Sequence, residues 1–229
     1  MAVAEHAELV DDPRARLRLV ADRVAPLALA RERTLAVLSP LVPLFPEGGL
    51  RRGSVVAVDG DGATALALAV AAGPSAAGSW TAVVGDPGLG LVAAAETGVA
   101  LERLMVIDPS PPGSTSKSAA SVVAALVGAV DVVLVGSSVR LRPADVRRLS
   151  ARQRERGSVL IRIGSVDGPG VDVGMRIVES EWAGLGAGHG VLRARRVRVT
   201  AQGRGASARP RAAAFLLPGP QGAPVALAR

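Results

Sequence analysis

Between residues 54 and 164 the chain alternates two kinds of hydrophobic pattern. Short apolar runs read as strands: SVVAV (54–58), which has the character of a buried strand, SWTAVVG (79–85), VDVVLVG (130–136) and SVLIRIG (158–164), while LERLMVID (101–108) leads into another. Between them, ATALALAVAAG (63–73), LGLVAAAETGV (89–99), SKSAASVVAALVG (116–128) and RPADVRRLSARQRERG (142–157) read as helices, the last of them amphipathic. Apolar strands alternating with helices predict an α/β fold: a mostly parallel sheet flanked by helices. After about residue 170 the pattern becomes MRIVESEWAGL and GVLRARRVRVTAQGR, expected as antiparallel strands at the C-terminal edge. Ahead of the first strand, Leu17, Val20, Val24, Leu27 and Leu35 recur at helical spacing and predict one long helix over 13–38. Asp12 and Pro13 would start it and Pro26 would kink it. Pro40, Pro43 and Pro46 then mark a linker. RPRAAAFLLPGPQGAPVALAR (209–229) is rich in Pro and Gly and has no period, which predicts an extended or flexible tail. The expected organisation is an N-terminal helix and linker (1–47), a core domain (48–205) and a flexible basic and apolar tail (206–229).

Composition narrows the class. Of 229 residues 49% are hydrophobic, yet no apolar run has the length of a membrane span. The first residues carry acids and lack an apolar targeting segment, and cysteine is absent, so disulfides and Cys-ligated metals are excluded. Both observations lead us to expect a cytoplasmic protein with no membrane partner. The net charge is +7, almost all of it arginine, with Lys117 the one lysine. No acid follows Glu181, whereas eight arginines do, so the body is near neutral and the end is basic. That asymmetry suits an acidic partner surface or a nucleic-acid backbone.

The order of motifs resembles a known family. FPEGGLRRGSVVAVDGDGATALALAVAA (45–72) is similar to the start of a RecA-type domain, with its Gly-Gly-Leu turn, first strand, phosphate loop and helix. WTAVVGDPGLGLVAAAETGVALERLMVIDP (80–109) resembles the stretch that follows, and AVDVVLVGSSVRL (129–141) lies where the second nucleotide-site strand would be. EWAGLGAGHGVLRARRVRVTAQGRG (181–205) is similar to the C-terminal strands of the ImuA subgroup of RecA-like proteins. The resemblance covers about residues 40 to 205. It implies a RecA-like fold and the role of an accessory factor in damage-induced translesion synthesis. The implied partners are an ImuB-like Y-family polymerase homologue and, through it, an error-prone replicative-type polymerase and the sliding clamp. A SulA-like cell-division inhibitor, also a degenerate RecA-like fold, is the alternative. A RecA-like ATPase with an aberrant loop is the third reading.

The nucleotide site departs from the pattern. A phosphate loop has a first Gly, four spacers, then Gly-Lys-Ser/Thr, so that backbone N–H groups encircle the phosphates. Here Asp61 alone separates Gly60 from Gly62, Ala63 stands where the lysine belongs, and Thr64 follows. Asp61 adds negative charge where phosphate would sit. Gly136 ends the strand where an Asp would help hold magnesium, Asp131 lies at the other end of that strand, and Asp86 is the remaining acid near the position of the catalytic glutamate. We therefore expect no catalytic residue, no cofactor and no metal. Gly60-Asp61-Gly62 reads as a tight strand-to-helix turn or as an unusual anion site at a helix N-terminus, with Thr64 capping the helix.

Other residues carry two readings each. His189 sits in the glycine-rich GAGHG and reads as a loop residue; neither it nor His6 builds a catalytic or metal cluster. Trp80 reads as core, and Trp182 as packing under the sheet edge or as facing a partner. Arg147, Arg148, Arg152, Arg154 and Arg156 are a solvated helix face or a stripe for phosphates or an acidic surface; with so few aromatics, any DNA contact would be weak and salt-dependent. Arg193, Arg195, Arg196, Arg198 and Arg204 either guard an edge strand or dock a partner. Phe215, Leu216 and Leu217 would be the apolar anchor of a docking tail.

Overall fold

The computed structural model describes residues 33–86, 88–109, 116–186 and 188–227. The chain divides into two compact units, Met1–Thr34 and Leu35–Arg229, and the fold below is that of the second. The expected helix over 13–38 lies outside the described residues up to residue 32, and from Thr34 the backbone is not helical.

The predicted alternation is present. Strands β1 (Val55–Asp59), β2 (Thr81–Val84), β3 (Leu104–Ile107), β4 (Val132–Val135) and β5 (Val159–Ile163) alternate with helices α1 (Ala63–Ala76), α2 (Leu91–Thr97), α3 (Ser116–Val127) and α4 (Pro143–Arg156). Then come β6 (Val173–Leu185), β7 (Gly190–Gly203), β8 (Arg211–Leu216) and β9 (Val225–Ala226). They form one nine-stranded sheet in the order β9-β8-β7-β6-β1-β5-β4-β2-β3. Pairing is parallel from β3 across to β6, and β7, β8 and β9 are antiparallel.

Period-two alternation splits the core over the two sheet faces. Val56 and Val58 of β1 join α1 on one face, with Leu66 and Val70; Val55 and Ala57 join α3 and α4 on the other, with Val123 and Leu149. Helix α1 is buried continuously from Leu66 to Ser75, which its small side chains permit. Gly73 lets residues 36 and 37 cross it: a Cβ there would lie 2.6 Å from the Ala36 carbonyl oxygen.

Two expected boundaries move. Residues 39–44 are a 3₁₀ turn whose Leu41 and Leu44 enter the core with Phe45, so this stretch is part of the domain rather than a linker. The tail is built into the sheet. Residues 211–216 pair with β7 along 196–201, and Phe215 and Leu217 are fully buried. Trp80 is 46% exposed, not core, because it precedes β2 instead of lying within it.

Candidate functional site: a strand-to-helix turn closed by an arginine

Strand β1 ends at Asp59 and α1 begins at Ala63, so the turn has three residues. Gly60 (φ +99°) and Gly62 (φ +76°) are both left-handed, a region that disfavours side chains. The turn closes on itself: the Ala63 N–H donates to the Gly60 carbonyl at 3.1 Å. No side chain caps α1, and the Thr64 hydroxyl makes no hydrogen bond among the described residues, so its expected capping role is not found.

What fills the space over the turn is Arg195, from β7. Its Nε donates to the Leu217 carbonyl at 3.0 Å. Its Nη1 donates to the Asp61 carboxylate at 3.3 Å. Its guanidinium lies 5.4 Å from the centre of the Trp182 ring, a cation–π arrangement. It rests so closely on Gly62 that a Cβ there would be 2.0 Å from Nη2. Arg195 is 4% exposed and Nη2 has no partner, whereas Asp61 is 79% exposed. The carboxylate expected to repel a phosphate thus holds an internal cation. Through Arg195 the turn, β6 and the segment at 217–218 are joined, since the Arg195 backbone also bonds Leu217 and Pro218.

The metal side is closed as well. Gly136 lies against β2: a Cβ there would be 2.3 Å from the Gly85 carbonyl oxygen. Ser138 donates its hydroxyl to that same carbonyl. Asp86 lies beside this crossing. Asp131, at the amino end of β4, is paired with Arg52 at 3.0 Å. The residues present do not fit a nucleoside triphosphate with magnesium: the arch is closed, the cation above it is already paired, and an acid at 136 has no room. No group of three His, Asp or Glu side chains among the described residues has metal-site spacing. No helix among them is long and apolar enough to cross a membrane.

Beyond the turn, β6 and β7 run on as a hairpin. From Val178 to Leu185 and from Gly190 to Arg193 every described residue is exposed. Val178, Leu185, Val191 and Leu192 present apolar surface there, with Trp182, 42% exposed, between Val178 and Leu185 on β6. Arg193, Arg196 and Arg198 are exposed on the same hairpin, Arg198 near Glu179 at 3.7 Å. His189 is in the connecting loop.

The other expected contacts separate. Arg195, Phe215 and Leu217 are buried, so they are core groups and not docking groups; Leu216 is half-buried. The five arginines of α4 are all exposed but do not form one stripe, because they flank the buried line Val146, Leu149 and Gln153 on both sides. Arg148 and Arg152 line a groove with Arg142 against α3, while Arg154 lines a cavity with Arg204. Arg162, near the end of β5, has its pKa lowered by desolvation. The bridging role of Arg195 had no sequence signal: it lies in an Arg/Val alternation that looks like any charged edge strand.

Residues 43–168 match the model of the MT3502 N-terminal domain family. The uncharacterized protein Rv3395c of Mycobacterium tuberculosis (strain ATCC 25618 / H37Rv) is 36% identical over 138 residues, 59% of this chain. The match spans 64% of that relative's own length. Among solved structures, the crystal structure of the RadB recombinase superposes with a TM-score of 0.54 at 14% identity, over 78% of this chain and 93% of the other. At that identity the likeness speaks for the fold, which is RecA-like.

Proposed function

We propose that this chain, which belongs to the MT3502 N-terminal domain family and has a RecA-like fold, is a non-catalytic adaptor of damage-induced translesion synthesis, the role that the resemblance of residues 181–205 to the ImuA subgroup implies. It binds an ImuB-like Y-family polymerase homologue and reaches the error-prone polymerase and the clamp through it. The observation that carries the non-catalytic part is Arg195, buried against Gly62 and bonded to Asp61, where an ATPase of this fold would hold phosphates. A turn already neutralised from within gives a triphosphate neither room nor an available cation.

The adaptor part rests on the hairpin. Apolar side chains exposed on a projecting ribbon and bordered by arginines match the make-up of a protein-binding surface. Leu185 and Leu192 are exposed near its end, so changing them leaves the core intact. Affinity capture of the polymerase homologue from damaged cells tests the reading. The wild-type chain retains it, and the Leu185→Asp, Leu192→Asp double variant loses it. Equal capture by both would remove the hairpin, and capture of a tubulin-like division protein instead would replace the reading with the division-inhibitor one.

A further inference from the structure

A cavity of about 280 Å³ opens at the amino-terminal ends of the parallel strands, at the opposite end of β1 from the closed turn. Its apolar wall includes Phe45, Val56 and Val173. Arg51, Arg52, Arg154 and Arg204 also line it, and they come from three separate parts of the chain. The convergence is built in. Gly53 (φ +76°) lies against the last turn of α4, where a Cβ would meet the Arg154 Cα at 3.0 Å.

The lining carries more cation than it uses. Arg52 is committed to Asp131 at 3.0 Å, and the Arg204 Nε donates to the Val171 carbonyl at 3.0 Å. The Arg51 and Arg154 side chains make no hydrogen bond or ion pair among the described residues. The lining also holds two acids: Asp172, which accepts the Val55 N–H at 2.9 Å, and Glu47, which is exposed, as are Arg51, Arg154 and Arg204. Guanidinium groups around a concavity focus positive potential and raise the local concentration of anions. Planar forks suit the several oxygens of a phosphate. At this volume the cavity takes a small molecule and not a folded partner.

We propose that this cavity binds a small phosphorylated ligand through Arg51 and Arg154, with Arg204 assisting and the apolar wall taking the rest of the molecule. The site is independent of the adaptor reading and stands or falls separately. Titration calorimetry of the full chain with inorganic pyrophosphate at low salt is the test. Wild-type protein binds, and Arg51→Gln and Arg154→Gln each weaken binding about tenfold, as loss of a charged hydrogen bond does. Arg147→Gln, on the same helix but outside the cavity, leaves it unchanged. Equal pyrophosphate binding by wild type and the Arg51→Gln, Arg154→Gln double variant would overturn the proposal. So would binding of a single-stranded oligonucleotide alone, weakened by Arg147→Gln as much as by Arg154→Gln, since that describes a surface and not a cavity.

Discussion

Arg195 is an unequal ion-pair member: the guanidinium is 4% exposed and its carboxylate partner 79%. Most of its worth therefore comes from the Leu217 carbonyl, the Trp182 ring and close packing on Gly62, not from Coulomb attraction to a solvated acid. Arg195→Met should destabilise the fold by about 2–4 kcal/mol, because it frees the Asp61 turn and leaves the Leu217 carbonyl unpaired. Asp61→Asn should cost under about 1 kcal/mol. Urea denaturation of both variants checks this, and a neutral Arg195→Met would mean the guanidinium does not hold the turn. Gly136→Asp, which restores the acid that the fold's ATPases would carry, should destabilise the chain by more than about 2 kcal/mol, through collision with the Gly85 carbonyl. Unchanged stability by the same denaturation would show that there is room for it. The short turn between β1 and α1 was legible in the residues themselves, because Asp61 alone separates Gly60 from Gly62. The plug was not, because 134 residues separate Asp61 from Arg195 and nothing local links them.

The parallel core was readable because each strand is a continuous apolar run and each helix is set off by glycine or proline. The C-terminal strands were harder. Arg211–Leu216 reads RAAAFL, and alanine, which fits inside or outside, conceals the alternation that would have marked a strand. Its pairing with β7 and the burial of Phe215 and Leu217 make this element structural. Deleting residues 206–229 should therefore remove cooperative unfolding or cost at least about 3 kcal/mol, the scale of losing a buried Phe. A thermal melt like that of the intact chain would return the segment to the role of a detachable tail. Leu41, Leu44 and Phe45 misled in the same way: three prolines looked like a linker, while the apolar residues between them pack into the core.

At the scale of the molecule, two ends of the sheet carry different features. The carboxyl end has the closed turn and the projecting hairpin, and the amino end has the arginine-lined cavity. The excess of positive charge is spread over both, so net charge by itself did not say which part would meet a partner. The central question is whether the space over the β1–α1 turn is filled from within by Arg195. Calorimetric titration of the intact protein with ATP and magnesium addresses it directly. We predict no saturable binding of ATP up to about 1 mM, the weak end of specific affinity, when the titration is made on the full-length Arg51→Gln, Arg154→Gln variant, so that the cavity at the amino end takes no phosphate. A micromolar dissociation constant in that variant would contradict a turn filled by Arg195 and point to a working nucleotide site.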